Sequence, residues 1–93
     1  MTYRISYRRS AKRDLDRLPL KAVEAAIAFI ENVLAENPRR VGKPLGRSLE
    51  GRWSARRLDY RVIYEINDDT IVIDIVRIAH RADVYRPRQL QRR

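Results

Sequence analysis

Residues Gly51 to Tyr64 read GRWSARRLDYRVIY, and the reading of this stretch decides the fold. Trp53 and Ala55 alternate with Ser54 and Arg56, and Tyr60, Val62 and Tyr64 alternate with Arg61, Ile63 and Glu65. A period of two on both sides of a short turn predicts a β-hairpin with one face in a core. The other face then carries Ser54, Arg56 and Arg61, which places two fixed cations on neighbouring strands. Guanidiniums on a rigid sheet suit one ligand class above others, the phosphate backbone.

Outward from the hairpin, the chain predicts few other elements. Tyr3, Ile5 and Tyr7 alternate with Arg4 and Ser6 as a first strand, and Ser10 is placed to cap a short helix with Ala11, Leu15 and Leu18 on one face. Pro19 closes that helix and opens the next, in which Leu20, Val23, Ile27, Ile30 and Leu34 form an amphipathic stripe until Asn37-Pro38 stops it. Arg39 to Glu50, with Gly42, Pro44 and Gly46, reads as a long basic loop, either functional or a plain connector. After the hairpin, Asn67-Asp68-Asp69 signals a turn. Ile71 to Ile78, nearly all apolar and β-branched, then predicts a central strand buried on both faces. The tail Arg86 to Arg93 reads as solvated charge.

The expected fold is therefore α+β in the order β-α-α-β-β-β, a single domain over 1–93. Two N-terminal helices pack on one face of an antiparallel β-sheet, and the other face is left open and lined by arginine. A chain of 93 residues with a hydrophobic fraction of 44% can bury one core. No run approaches the roughly 18 apolar residues of a membrane span, and no apolar segment follows a basic start as in a signal peptide. The chain has no cysteine, so disulfides and thiolate chemistry are excluded, and the cytoplasm is the expected location.

The formal net charge is +9, which favours polyanionic partners. Of 21 basic residues only Lys12, Lys21 and Lys43 are lysine. The arginine excess fits bidentate phosphate contact, and it equally fits the codon bias of a GC-rich genome. The placement of particular arginines is more informative. Arg56 and Arg61 share the open face of the hairpin, while His80, Arg81 and Tyr85 follow the end of the last strand. This set suits phosphodiester cleavage without a metal or other cofactor. Arginines stabilise the charge developing at phosphorus, and a neutral His or Tyr moves protons. Each residue also has a structural reading: His80 as a strand-end histidine, Tyr85 as a lid on the core edge, Arg61 as a partner of Glu65 or Asp59. Metalloprotease, glycine-rich phosphate-loop and Ser/His/Asp patterns are absent from the sequence.

These motifs resemble the RelE-type toxins of the RelE/ParE toxin–antitoxin superfamily. The likeness runs through AKRDLDRLP, the loop GKPL, then LEGRWSARRLDYRVIYEI and IAHRADVYR, and GKPL, SARR and DYRVIY are most similar to mycobacterial and actinobacterial RelE. The resemblance implies a ribosome-dependent mRNA endoribonuclease of the A site, in which the ribose 2′-hydroxyl attacks the adjacent phosphate. It implies catalytic roles for Arg61, Arg81 and Tyr85, with Arg56 as the basic residue of the preceding strand. Where some relatives carry two lysines on that strand this chain has Ser54 and Arg56, so His80 is the first candidate proton acceptor and Tyr85 the second. Lys43, Arg52, Arg57, Arg9 and Arg13 are the candidates for contact with RNA and the ribosome. The implied partners are a RelB-like antitoxin, the 70S ribosome with its mRNA and rRNA, and operator DNA through the antitoxin only. The rival readings are a ParE-like inhibitor of DNA gyrase, a non-catalytic nucleic-acid-binding module of the same fold, and a degenerate toxin that only binds its antitoxin.

Overall fold

The computed structural model of the chain describes residues 2–46 and 51–80, the last of these in its backbone alone. Five strands form one sheet: β1 (Arg4–Tyr7), β2 (Lys43–Pro44), β3 (Arg52–Arg57), β4 (Tyr60–Asn67) and β5 (Val72–His80). Three helices, α1 (Arg9–Asp16), α2 (Leu20–Phe29) and α3 (Pro38–Val41), lie between β1 and β2. The spatial order is β1-β5-β4-β3-β2. The helices cover one face, as the sequence predicts. The meander β2 to β5 is antiparallel, but β1 joins β5 in parallel, with Ile5 opposite Ile73, so the sheet is mixed. The helical crossover between β1 and the meander returns the chain in the direction that a parallel edge pair requires.

The core is built from the inward positions of the hairpin and of β5. Ala55, Val62, Tyr64, Ile73, Ile75 and Ile78 pack against Ala11, Ala26, Phe29, Ile30 and Leu34 from the helices. β5 is buried on one face, not on both. Its opposite face presents Asp74 and Arg77; Asp74 is held by Ser6 of β1 and by Arg8 at the start of α1, and Arg77 by Asp14 of α1. Val76 is an extra residue between the Ile63–Arg77 and Tyr64–Ile75 pairs, a bulge that keeps Ile75 and Ile78 in the core although they are three positions apart. Ile71 belongs to the preceding turn, with φ of 57°, a conformation that takes it out of the strand.

Two further local expectations are corrected. Ser10 does not cap α1: the N-cap is Arg8, and the Ser10 hydroxyl donates to the Val76 carbonyl at 2.6 Å. β1 runs out opposite Ile75, so the β5 backbone beyond it lacks a strand neighbour on that side. Helix α1 takes over there, because Asp14 also accepts the Ile78 N–H at 2.8 Å. Second, the helix after Pro19 does not keep one α-helical stripe. At Ile30–Leu34 it passes into a π-helical turn, where the Ala35 N–H donates to the Ile30 carbonyl at 2.9 Å. The extra residue rotates the face, so that Ile30, Leu34 and Ala35 are all buried while Leu20 is 72% exposed.

The segment expected to be a long basic loop carries α3 and β2 within residues 38–46. Tyr64, fully buried, donates its hydroxyl to the Pro38 carbonyl at 2.6 Å, and burial pushes its pKa up to about 12. A Cβ on Gly42 would lie 2.0 Å from that hydroxyl oxygen. Only glycine lets the chain pass so close to Tyr64, and from there Lys43 and Pro44 pair with Ser54 and Trp53. The bond from the Leu45 N–H to the Arg52 carbonyl, at 2.8 Å, continues the attachment.

Candidate functional site: a basic cleft on the open face

The open face of the sheet separates into two electrostatic halves. In a row across β3, β4 and β5, Arg8 donates from Nε to Asp74 and from its terminal nitrogen to Glu65 at 2.9 Å, and Arg52 donates to the same Glu65 at 3.1 Å. The bond to Asp74 is the main reason that the Arg8 pKa rises above its ordinary value. Arg77, beyond the bulge, is forked onto Asp14 by bonds of 2.7 and 3.1 Å. Each of these cations therefore has a carboxylate.

The other half differs. Arg56 and Arg61 are direct register partners across β3 and β4, which puts their Cβ atoms about 4.5–5.5 Å apart. Among the described residues neither has a carboxylate partner. Glu65, expected as one candidate for Arg61, is occupied by Arg8 and Arg52. Lys43 joins the two arginines from β2, opposite Ser54. Together Val41, Lys43, Pro44, Leu45, Ser54, Arg56 and Arg61 line a cleft of about 470 Å³. Its floor is cationic sheet and its outer wall is the partly apolar segment that Gly42 brings down onto β3. Three cations and a hydroxyl without a counter-charge form a site for an anion, and the paired half of the sheet leaves the positive field concentrated there.

The predicted site residues thus fall into groups. Arg56, Arg61 and Lys43 are brought together in the cleft. Arg52 is on the same face but within the ion-pair network. Arg57 lies elsewhere, beside Ala25 and Leu58 in an apolar hollow against α2. Arg9 and Arg13 are exposed on α1, one turn apart. The His80 backbone pairs with Tyr60, one position beyond Ala79, the partner of Arg61. Arg81, Tyr85 and the His80 side chain lie outside the described residues. The apolar wall of Val41, Pro44 and Leu45 was not expected, and its only sequence signal is Gly42, whose neighbour Tyr64 is distant in the chain.

Comparison with known proteins gives this arrangement its relatives. The family model described as ParE toxin of type II toxin-antitoxin system, parDE, matches residues 5–85. Toxin RelG of Mycobacterium tuberculosis is 44% identical over 86 residues, covering 92% of this chain and 99% of RelG. Toxin RelE of the same organism is 46% identical over 84 residues, covering 90% of this chain and 87% of that one. A chain in the crystal structure of the toxin–antitoxin complex RelBE2 from M. tuberculosis superposes with a TM-score of 0.85 at 41% identity, spanning 87% of this chain and 100% of that one. No helix of the described residues is long and apolar enough to cross a membrane. From the match over 5–85 and the RelE-type relatives, the chain belongs to the RelE/ParE family of type II toxin–antitoxin toxins, as a RelE-type toxin.

Proposed function

We propose that this toxin is a metal-independent endoribonuclease that cuts mRNA in the ribosomal A site and so inhibits translation. The observation that carries the reading is the facing pair Arg56 and Arg61, uncompensated by any carboxylate among the described residues. An enzyme that gives up cross-strand stability to hold two guanidiniums together has a use for them when negative charge builds up. In attack by a ribose 2′-hydroxyl on the adjacent phosphate, that charge appears on the non-bridging oxygens of the phosphorane. Arg61 and Arg56 stabilise it there, and because guanidinium stays protonated they are not the base. The lining of the cleft, among the described residues, holds no carboxylate and no imidazole. The proton acceptor in this proposal is His80, with Tyr85 as the second candidate, and Arg81 supplies a third arginine. Collapse of the phosphorane expels the 5′-oxygen of the next nucleotide, which takes a proton from water or from the protonated acceptor, leaving a 5′-hydroxyl and a 2′,3′-cyclic phosphate or, after its hydrolysis, a 3′-phosphate.

The partners follow from the same reading. The 70S ribosome presents mRNA as an unpaired strand, and Lys43, Arg52, Arg57, Arg9 and Arg13 add sequence-independent contacts to mRNA and rRNA phosphates. The reaction belongs in the cytoplasm, where ribosomes are. A RelB-like antitoxin with acidic or amphipathic segments would bind this basic chain, and operator DNA would be reached through that antitoxin. The similar chain in RelBE2 of M. tuberculosis belongs to a toxin–antitoxin complex, which supports an antitoxin as partner.

The test compares Arg61→Ala with the unaltered protein for cleavage and for ribosome binding. Loss of cleavage by about 100-fold or more with a much smaller change in ribosome affinity supports the catalytic role. A parallel fall in both reduces the pair to a binding surface.

A further inference from the structure

We propose that the wall formed by Val41, Pro44 and Leu45 is a base-binding surface, which seats one unpaired nucleobase beside the phosphate held by Arg56 and Arg61. This deepens the reading of the cleft as an RNA site and names the part of the nucleotide that each side recognises. The two sides of the cleft are chemically different. The sheet contributes Lys43, Ser54, Arg56 and Arg61, and the edge segment that carries Lys43 also contributes apolar surface from Val41, Pro44 and Leu45. A site for a bare anion needs only the first. A molecule with an anionic group next to a flat, weakly polar ring fits both, and an RNA nucleotide has that form. The size agrees, since about 470 Å³ lies within the range of roughly 300–1,000 Å³ common for small-ligand sites.

The wall is built, not incidental. Val41 ends α3, whose first residue is anchored by Tyr64 through the Pro38 carbonyl. Gly42 passes against the same hydroxyl, Lys43 and Pro44 are paired to β3, and Leu45 is tied to the Arg52 carbonyl. Four successive attachments fix the wall relative to Arg56 and Arg61, which sit on the next strands of the same sheet. Pro44, at the sheet edge opposite Trp53, holds this segment rigid and presents no N–H there. Because the contact is to the base, it acts on which nucleotide is accepted, whereas the arginines act on every nucleotide alike.

The experiment uses the full-length protein and a trinucleotide with 2′-O-methyl riboses, which binds without being cut. The control probe is an abasic trinucleotide with the same phosphates. Methyl resonances of Val41 and Leu45 are followed by NMR, and affinities are measured for the unaltered protein, Leu45→Ala and Arg61→Ala, each first shown to be folded by its thermal transition. The expected result is that the methyl resonances of both residues shift with the base-bearing probe and not with the abasic one. Leu45→Ala should weaken the base-bearing probe about fivefold or more and leave the abasic probe unchanged, while Arg61→Ala weakens both. Identical shifts from the two probes, unchanged affinity in folded Leu45→Ala, or no binding of the base-bearing probe would each overturn the proposal. The outcome is separable from that of the nuclease reading. Base-dependent binding without cleavage on ribosomes would overturn the nuclease and keep the wall. Cleavage on ribosomes with a silent wall would do the reverse.

Discussion

Arg56 on β3 faces Arg61 on β4 across the hairpin, two arginines in direct register with no carboxylate ion-paired to either among the described residues. Like charges directly opposite in a sheet are destabilising, so the pair opposes the fold that carries it. Replacing Arg56 by Gln is expected to raise stability by about 0.2–1 kcal/mol. The gain should shrink in high salt, where exposed charges are screened. Urea unfolding at low and high salt measures both. A loss of stability on removing the charge would mean that the arginines are structural.

Asp14 is buried and carries three bonds to β5, two from the Arg77 fork and one from the Ile78 N–H. Asp14→Ala leaves that N–H without its acceptor at the edge that β1 does not reach. The expected cost is about 2–3 kcal/mol, because these are charge-assisted bonds and Arg77 retains access to water. Asp14→Asn should cost less, since an amide oxygen still accepts the N–H. Equal costs for the two variants in denaturant unfolding would contradict this account.

Gly42 is required by space rather than by backbone conformation, as its φ of −105° suits any residue. Gly42→Ala places a methyl group 2.0 Å from the Tyr64 hydroxyl oxygen and 2.9 Å from the Ser54 carbonyl oxygen. Destabilisation of about 1–3 kcal/mol is expected from such overpacking. Adding Tyr64→Phe should recover part of it by removing the nearest atom, and the Ser54 carbonyl prevents full recovery. A double-mutant cycle in thermal or urea unfolding measures the coupling. Strict additivity of the two substitutions would rule out the contact as the cause.

The Tyr64 hydroxyl, raised to about 12 by burial, also fixes the response to alkali. The folded state holds this proton more tightly than the unfolded state, whose tyrosine titrates near about 10. Its contribution is therefore complete below about pH 10 and is lost as pH rises from there through about 12. Tyr64→Phe should be less stable than the parent near pH 8, by about 1 kcal/mol for the lost bond to the Pro38 carbonyl. The difference should close, or change sign, toward pH 12. Unfolding midpoints across that range decide the point, and a gap that widens with pH would be inconsistent with the buried hydroxyl.

The part of this architecture that the sequence discloses is the part with a short period. The alternation of Trp53, Ala55, Tyr60, Val62 and Tyr64 defines the inward face, and a two-residue turn at Leu58-Asp59 is enough to set Arg56 against Arg61. Features that depend on distant partners are not legible in this way. Ser10 has a capping residue's chemistry, but the Val76 carbonyl takes its hydroxyl. The π-helical turn at Ile30 changes the face by one residue and has no pattern of its own in an apolar, alanine-rich stretch. Glu65 is near Arg61 in sequence, yet Arg8 and Arg52 reach it in space. The wall of Val41, Pro44 and Leu45 depends on the fit between Gly42 and Tyr64, 22 positions on. Local alternation therefore yields the cationic floor of the cleft, and tertiary packing supplies its other side.

The central claim, that this cleft cleaves mRNA on the ribosome, is tested most directly with ribosomes stalled on a defined A-site codon. The same purified protein is given free mRNA and, in parallel, a gyrase supercoiling reaction, and the ends of any RNA product are identified. The account predicts cleavage on the ribosome and not of free mRNA, a 5′-hydroxyl on the downstream fragment, no effect on gyrase, and loss of cleavage in Arg61→Ala. Intact mRNA on the ribosome together with inhibited supercoiling would contradict it and make the arginine pair part of a gyrase-directed surface.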